Sequence, residues 1–209
     1  MNQTIIDALQ WRYATKVFDP AKKVSDEDLR TVLESGRLAP SIVGLEPWKF
    51  LVIQNPEIRQ QIRLAAWDQP KVTDASHLIV LAMRTDAREN MTDELLDRAA
   101  KTHQVHPSTL NGLRQTAEGV IAARDDQQLH TMMFAQAFLA LGLMVETASL
   151  LGIDNGPMAG GVDIDEVLGL AAQNLTSAAM LTLGYRGEDP AAARKKVRRA
   201  FDEVVTTIQ

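Results

Sequence analysis

His77-Leu78-Ile79-Val80-Leu81-Ala82-Met83-Arg84 is the stretch on which the fold turns. Its apolar run is continuous rather than alternating, which is the pattern of a buried strand. Upstream, Lys49-Phe50-Leu51-Val52-Ile53-Gln54 is rich in β-favouring residues and reads as a second strand, and residues 177–185 read as another. Helices surround these strands. Residues 2–11 place Ile5, Ile6 and Leu9 on one face, and a turn follows at Asp19-Pro20. Ser25 is a good N-cap, with Asp28 at N3, for a helix whose apolar face is Leu29, Val32 and Leu33 and which Gly36 and Pro40 close. Pro56 opens a short helix. The longest helical signal, residues 127–152, is rich in Ala, Leu and Met and ends at Gly152, a suitable C′ residue. Mixed helices and strands place the chain in the α+β or α/β class.

Residues 86–125 differ in character. They are charged, with two or three helical stretches broken at Pro107 and near Gly112, and read as an excursion from the core that could serve as a lid. A glycine-rich loop is expected at Gly156-Pro157-Met158-Ala159-Gly160-Gly161. Asp163 and Glu166 then form a capping box for a short helix ending at Gly169. The tail, residues 190–206, has helical propensity. No repeat or linker-like composition break divides the chain, so residues 1–209 read as a single domain.

A length of 209 residues suits one domain with a real core, and 45% hydrophobic with 23% charged residues is the composition of a soluble globular protein. A net charge of −5 disfavours a nucleic-acid partner. The absence of cysteine excludes disulfides, thiolate nucleophiles and cysteine-ligated metals, and fits a reducing cytoplasm. Met1-Asn2-Gln3-Thr4 lacks the cationic start of a signal peptide. The apolar stretch Thr131–Val145 contains Gln136 and falls short of the ~20 residues needed to span a bilayer, so a core helix and no membrane are expected.

In this acidic chain a basic quartet is split between the two ends: Arg12 and Lys16, then Lys196 and Arg198. An anion such as a phosphorylated cofactor would bring them together, since a guanidinium fork matches phosphate and an ammonium acts as a point charge. Taken pair by pair the ordinary readings are stronger: Arg12 and Lys16 as cations completing a helix C-terminus, and Arg194–Arg199 as a solvated face. Lys196 and Arg198 share a side only if the chain there is extended. The glycines of 156–161 do not form a dinucleotide fingerprint. His103 and His106 lack a carboxylate–histidine motif and precede Pro107, so no metal is expected. A hydrolase elbow is absent. Gln136, an amide in an apolar helix, must be hydrogen-bonded, either within the core or to a ligand.

Four blocks taken together resemble the flavin mononucleotide (FMN)-dependent nitroreductase family over nearly the whole chain. Arg12-Tyr13-Ala14-Thr15-Lys16-Val17-Phe18-Asp19 is similar to the family's Arg-x-Ser-x-Lys-x-Phe, and Pro40-Ser41-Ile42-Val43-Gly44-Leu45-Glu46-Pro47-Trp48 to its Pro-Ser-Ser-x-x-x-Gln-Pro-Trp. Asp74-Ala75-Ser76-His77, preceded by Asp68 and Lys71, and Lys196-Val197-Arg198 complete the set. Gln136, Gly142, Gly152 and Pro157-Met158-Ala159-Gly160 lie between at the family's spacing.

The resemblance implies an α+β fold with a central mixed sheet surrounded by helices. It also implies an intertwined homodimer whose long helix forms much of the interface and whose tail, 190–209, wraps the partner. It places Arg12, Lys196 and Arg198 on the flavin phosphate, Lys16 near the ribityl chain and pyrimidine end, and Lys71 with Asp68 at the N1/C2=O/N3 edge. Tyr13, Ala14, Pro40, Ser41, Ile42 and Gly44 would line the flavin, Gln136 would contact ring or ribityl, and the backbone of Pro157, Met158, Ala159 and Gly160 would face N5. Ala14 and Ile42 stand where the family has serines, Ala159 where glutamate is frequent, and Glu46 where glutamine precedes Pro-Trp. Asp68 replaces a common asparagine, a change unfavourable beside a reduced flavin unless Lys71 pairs with it. The implied activity is ping-pong reduction of nitroaromatics, quinones or related small acceptors by NAD(P)H. The flavin carries the hydride, Lys16 and Lys71 give electrostatic support, and no side chain acts as a catalytic nucleophile. Aldehyde or enone reduction, other specialised flavin chemistry, and flavin storage or sensing without turnover are the alternatives.

Overall fold

The computed structural model describes residues 3–208. Helix α1 spans Gln3–Trp11, so Asn2, expected to begin it, lies outside the described residues. Helix α2, Asp26–Arg37, begins where Ser25 Oγ accepts from the amide of Asp28. Strand β1, Trp48–Ile53, is followed by α3, Pro56–Ala65, whose cap is Asn55 with Pro56 at the first turn. The short α4, Lys71–Asp74, leads into β2, His77–Arg84. Helices α5, Thr92–His103, and α6, Asn111–Ala122, form the excursion, with short turns at Ala87–Met91 and Pro107–Leu110. Helix α7, Asp126–Leu150, precedes β3, Asp154–Ala159; then come α8, Val162–Leu168, β4, Leu175–Gly184, and a last turn α9, Phe201–Val204.

The sheet is four-stranded in the order β1-β2-β4-β3. All its named neighbours are antiparallel, with Leu51 opposite Val80 and Ile79 opposite Leu181. Where the resemblance implies a mixed sheet, parallel pairing among the described residues is confined to the bridge between Ala14 and Asn155. The central pair β2 and β4 is buried because its alternate residues serve opposite layers. Ile79, Leu81, Ala179, Leu181 and Leu183 pack with Leu29 and Val32 of α2 and Leu141, Met144 and Ala148 of α7. Leu78, Val80 and Met180 pack with Ile62 of α3, Val72 of α4 and Ile164 of α8. A strand buried on both faces has no polar alternation, which is why 77–84 reads as a continuous apolar run. Each of these side chains, once buried, contributes about 1.5–3 kcal/mol of transfer free energy.

Several expectations need correction. The glycine-rich loop at 156–161 is largely the edge strand β3, and only Gly160 and Gly161 lie beyond it. A glycine suits 156 because a Cβ would sit 2.6 Å from Thr182 Oγ1 on the neighbouring β4 and 3.2 Å from the carbonyl of Thr15 in the crossing segment 12–17. Pro157 is tolerated because the strand is an edge. Asp163 caps nothing: α8 starts at Val162, its N-cap is Gly161, and no side chain serves there. The helical stretches of the excursion do part at Pro107 and near Gly112, where α6 begins at Asn111. Met91, Leu95, Ala117 and Ile121 of the excursion pack with Leu45, Met83, Leu129 and Met133 into a core of their own.

The tail is a turn at Pro190–Ala193, then extended through residues 195–200, so its helical propensity is realised only in α9. Helix α7 runs 25 residues, past the stretch judged too short for a bilayer, and is by length and hydropathy sufficient to cross one. It packs instead, with Met133, Ala137, Ala140, Leu141, Met144 and Ala148 buried. Gly152, with φ 71°, ends it as expected.

Candidate active site

The first site element is the extended segment leaving α1. Asp189 pins it: its Oδ2 accepts from the Tyr13 hydroxyl at 2.8 Å, from the Lys16 amide at 2.9 Å and from the Val17 amide at 3.2 Å, while Oδ1 accepts from the Ala191 amide. Burial raises the Asp189 pKa, but these donors outweigh it and hold the carboxyl below its usual range. Tyr13, half-buried and bonded to Asp189, is pushed up to about 12. Arg186 bonds to buried Asp154 at 2.7 Å and lies 4.3 Å above the Trp11 ring and 4.8 Å above that of Tyr13. Thr15 is fully buried, with its hydroxyl toward Asp154. Alternation along an extended chain therefore turns Tyr13 and Thr15 inward and Arg12, Ala14 and Lys16 to the other side. Tyr13's side chain is committed to the protein, which leaves only its backbone for a ligand.

On that other side the structure gathers the cations. Arg12 lies beside Arg198, and Lys196 beside both. Burial and then mutual repulsion lower the pKa of Arg12 and Lys196. Lys196 and Arg198 meet Arg12 because the tail there is extended, the condition under which an i,i+2 pair shares a side. Lys71, only 4% exposed, is pushed down to about 8 by burial and then by Lys16. Among the described residues no carboxylate forms an ion pair with any of these five cations. Arg12 Nε is buried without a hydrogen-bond partner. A buried N–H left unpaired costs about 1–3 kcal/mol, and an anion would satisfy it. The donor set at Arg12, Lys196 and Arg198 therefore fits a phosphate.

A second group of expected residues forms separately. The Gln136 amide oxygen accepts from the Ile42 amide at 2.8 Å, and Ser41 Oγ accepts from the Glu46 amide at 2.9 Å. These bonds hold a tight turn in which Val43, Gly44 and Glu46 have φ of 47°, 77° and 49°. Arg98 of α5 donates to the Gly44 carbonyl and pairs with Glu46 at 3.7 Å, which ties the excursion to this loop. The Gln136 oxygen thus positions Ile42. Pro40 is exposed beside this turn. Among the described residues no hydrogen bond or ion pair joins this loop to the cation cluster.

The third element frames a pocket of about 260 Å³ between the end of α3 and the β3–α8 junction, lined by Trp67, Gln69, Met158, Ala159, Gly160 and Val162 among others. Trp67 is 91% exposed. Trp67 and Asp68 have φ of 58° and 51°. Asp68 pairs at 2.7 Å with Arg63, so its charge is countered by a cation other than Lys71. The Gly160 amide donates to Ala178, so in an antiparallel edge the preceding amide, that of Ala159, points away from the sheet. A Cβ at Gly160 would lie 2.4 Å from the Ser177 carbonyl oxygen. Gly156 opens the way for Lys71, whose Cδ passes 3.7 Å from the position a Cβ would take there.

Sequence reasoning missed Asp189, Arg63, Arg186 and Trp67. Asp189 and Arg63 are single charged residues whose partners are set by the fold; no local pattern marks them. Among the described residues no cluster of His, Asp or Glu is arranged to hold a metal.

Comparison with known proteins agrees with this architecture. Residues 9–185 match the Nitroreductase family, a stretch that stops short of Lys196 and Arg198. A Staphylococcus epidermidis protein named "Putative NAD(P)H nitroreductase" is 37% identical, covering 100% of this chain and 99% of that one. Among solved structures, a Bacillus subtilis protein described as a "putative nitroreductase" superposes with a TM-score of 0.86 at 18% identity over the whole of both chains. An Exiguobacterium sibiricum protein described as a "putative nitroreductase in complex with FMN" gives 0.80 at 22% identity, covering 98% of this chain and 97% of that one. With its helices on both faces of one sheet, its cations gathered at one end and this full-length relationship, the chain belongs to the nitroreductase family.

Proposed function

We propose that this protein is an FMN-dependent oxidoreductase that takes hydride from NADH or NADPH and delivers it to nitroaromatics, quinones or related acceptors in a ping-pong cycle. The observation that carries the reading is the cluster of Arg12, Lys196 and Arg198, which lacks a carboxylate counter-ion among the described residues and includes the unpartnered Arg12 Nε. These residues would hold the flavin phosphate. Lys16 and Lys71 would face the pyrimidine edge, where their charge favours the electron-rich state. The outward amide of Ala159 would donate to the ring edge near N5, so the absence of a glutamate side chain there is tolerated. Asp68, neutralised by Arg63, would border the same edge. The flavin would supply the hydride chemistry, and the protein binds, orients and shields it.

The loop of Pro40, Ser41, Ile42 and Gly44 and its support Gln136 would complete the site from a second copy of the chain. Exposed apolar residues favour that assembly: Ile5 and Leu9 on α1, Phe134, Phe138 and Leu139 on α7, and Phe201, Val204 and Ile208 in the tail. In the proposed homodimer the α7 faces meet and residues 190–209 wrap the partner. Residues 86–125 would border the acceptor cleft as its lid. The cysteine-free composition suits the reducing cytoplasm.

The anaerobic visible spectrum of purified protein with FMN, before and after NADPH or NADH, tests the reading. Flavin bands that shift on binding and bleach with a nicotinamide are expected. Bands that stay oxidised would refute nicotinamide-driven turnover. Replacing Arg12 and Arg198 together with Met should strip the cofactor, and full flavin occupancy in that variant would refute the phosphate assignment.

A further inference from the structure

Lys71 is the most deeply buried of the five cations at the site, yet its charge goes unanswered. From segment 12–17 it faces Lys16, another cation. From β3 it meets Gly156, and the nearby acid of that strand, Asp154, is held by Arg186. The neighbouring residue of β4 is Thr182, a neutral hydroxyl. On its own helix Asp74 accepts from the hydroxyl of Thr73 at 2.9 Å. Asp68, three residues upstream, is held at 2.7 Å by Arg63, and the charge that acts on Lys71 is that of Lys16. An ammonium surrounded in this way is costly to keep charged while the site is empty.

We infer that flavin binding is coupled to uptake of one proton from solvent onto Lys71 Nζ. The inference rests on the flavin site proposed above. An electron-rich carbonyl at the pyrimidine edge gives the ammonium the acceptor that the protein withholds, so the bound state favours the charged form. With the empty-site lysine at about 8, roughly half of the sites take up a proton at pH 8 and about nine-tenths at pH 9. Apparent flavin affinity should then fall about tenfold for each pH unit above 9, up to the point where the bound lysine itself titrates.

The test is calorimetric titration of flavin-free protein with FMN and with riboflavin, at pH 7 to 9, in buffers of different ionisation enthalpy. The riboflavin titration reports Lys71 alone, because riboflavin lacks the phosphate and so bypasses Lys196, whose pKa is also lowered. Lys71→Arg should bind riboflavin without uptake, since a guanidinium stays charged throughout this range. Riboflavin binding without uptake at pH 9, or uptake with riboflavin that survives in Lys71→Arg, would overturn the coupling. Failure of FMN to bind at any pH would instead refute the proposed function.

Discussion

Asp189→Ala removes the acceptor that fixes segment 12–17, and its cost can be worked from the contacts. The carboxylate takes the Tyr13 hydroxyl, the Lys16 and Val17 amides and the Ala191 amide at 2.8–3.2 Å. Hydrogen bonds to a charged acceptor are worth about 1.5–3 kcal/mol each when buried. The Lys16 and Val17 amides lie at an exposed edge and can rehydrate, so the sum shrinks to about 2–3 kcal/mol overall. Urea unfolding of the flavin-free protein should show that loss at pH 7 with the slope unchanged. The pH dependence has a definite sign. The folded carboxyl lies below the ordinary aspartate value of 3.8, so its contribution is complete above that value and is lost as pH falls through the folded one. The gap between wild type and variant should therefore hold at pH 5 and narrow below about pH 4. FMN affinity should fall about tenfold as Arg12 and Lys16 lose their fixed backbone, equivalent to about 1.4 kcal/mol. A gap under about 0.5 kcal/mol at pH 7, within the range of an ordinary surface change, would refute the claim that Asp189 organises the segment.

Other substitutions separate the remaining contributions. Lys71→Met should stabilise the flavin-free protein by about 3 kcal/mol at pH 7, because a lysine held at about 8 instead of 10.5 opposes folding while charged. That gain should fade between pH 8 and about 10.5, where the unfolded lysine also loses its proton; denaturant midpoints across this range check it. Gly160→Ala places a Cβ 2.4 Å from the Ser177 carbonyl oxygen and should cost about 1–3 kcal/mol, read as a fall in thermal midpoint. Gln136→Leu leaves the Ile42 amide without its acceptor at a cost of about 1–3 kcal/mol, and hydrogen exchange at that amide should quicken at least tenfold.

The sheet's centre was legible because local chemistry and tertiary environment agree there. Residues 77–84 form the strand with the expected bounds because burial on both faces writes itself as an unbroken apolar run. Ser25, Gly152 and Gly169 marked their helix ends for the same reason: a cap is a local requirement. The misses occur where distant chain decides. Gly156 and Pro157 argue locally for a loop, yet Gly156 answers to Thr182 of β4 and the crossing segment at Thr15, and Pro157 to an unpaired edge. Gln136 could be placed in an apolar helix but its partner, Ile42, lies 94 positions away. Asp68 finds its cation in Arg63 because α3 brings the guanidinium beside a left-handed turn, a pairing no local pattern marks. The cation cluster was visible as residue types; its gathering depends on a tail without helix at 195–200, which the family resemblance implies and local propensity argues against.

The apolar character of α7 on both its faces also bears on how the chain is made. A newly synthesised segment 126–150 meets the length and hydropathy by which a bilayer-insertion machinery selects its clients. β2 and β4 close over Leu141, Met144 and Ala148, and those strands are separated by residues 85–174. The later of them, β4, leaves the ribosome only after α7 has already emerged. Substitutions that slow pairing of β4 lengthen the time that helix spends uncovered and should divert chains to aggregates even when the finished fold tolerates them.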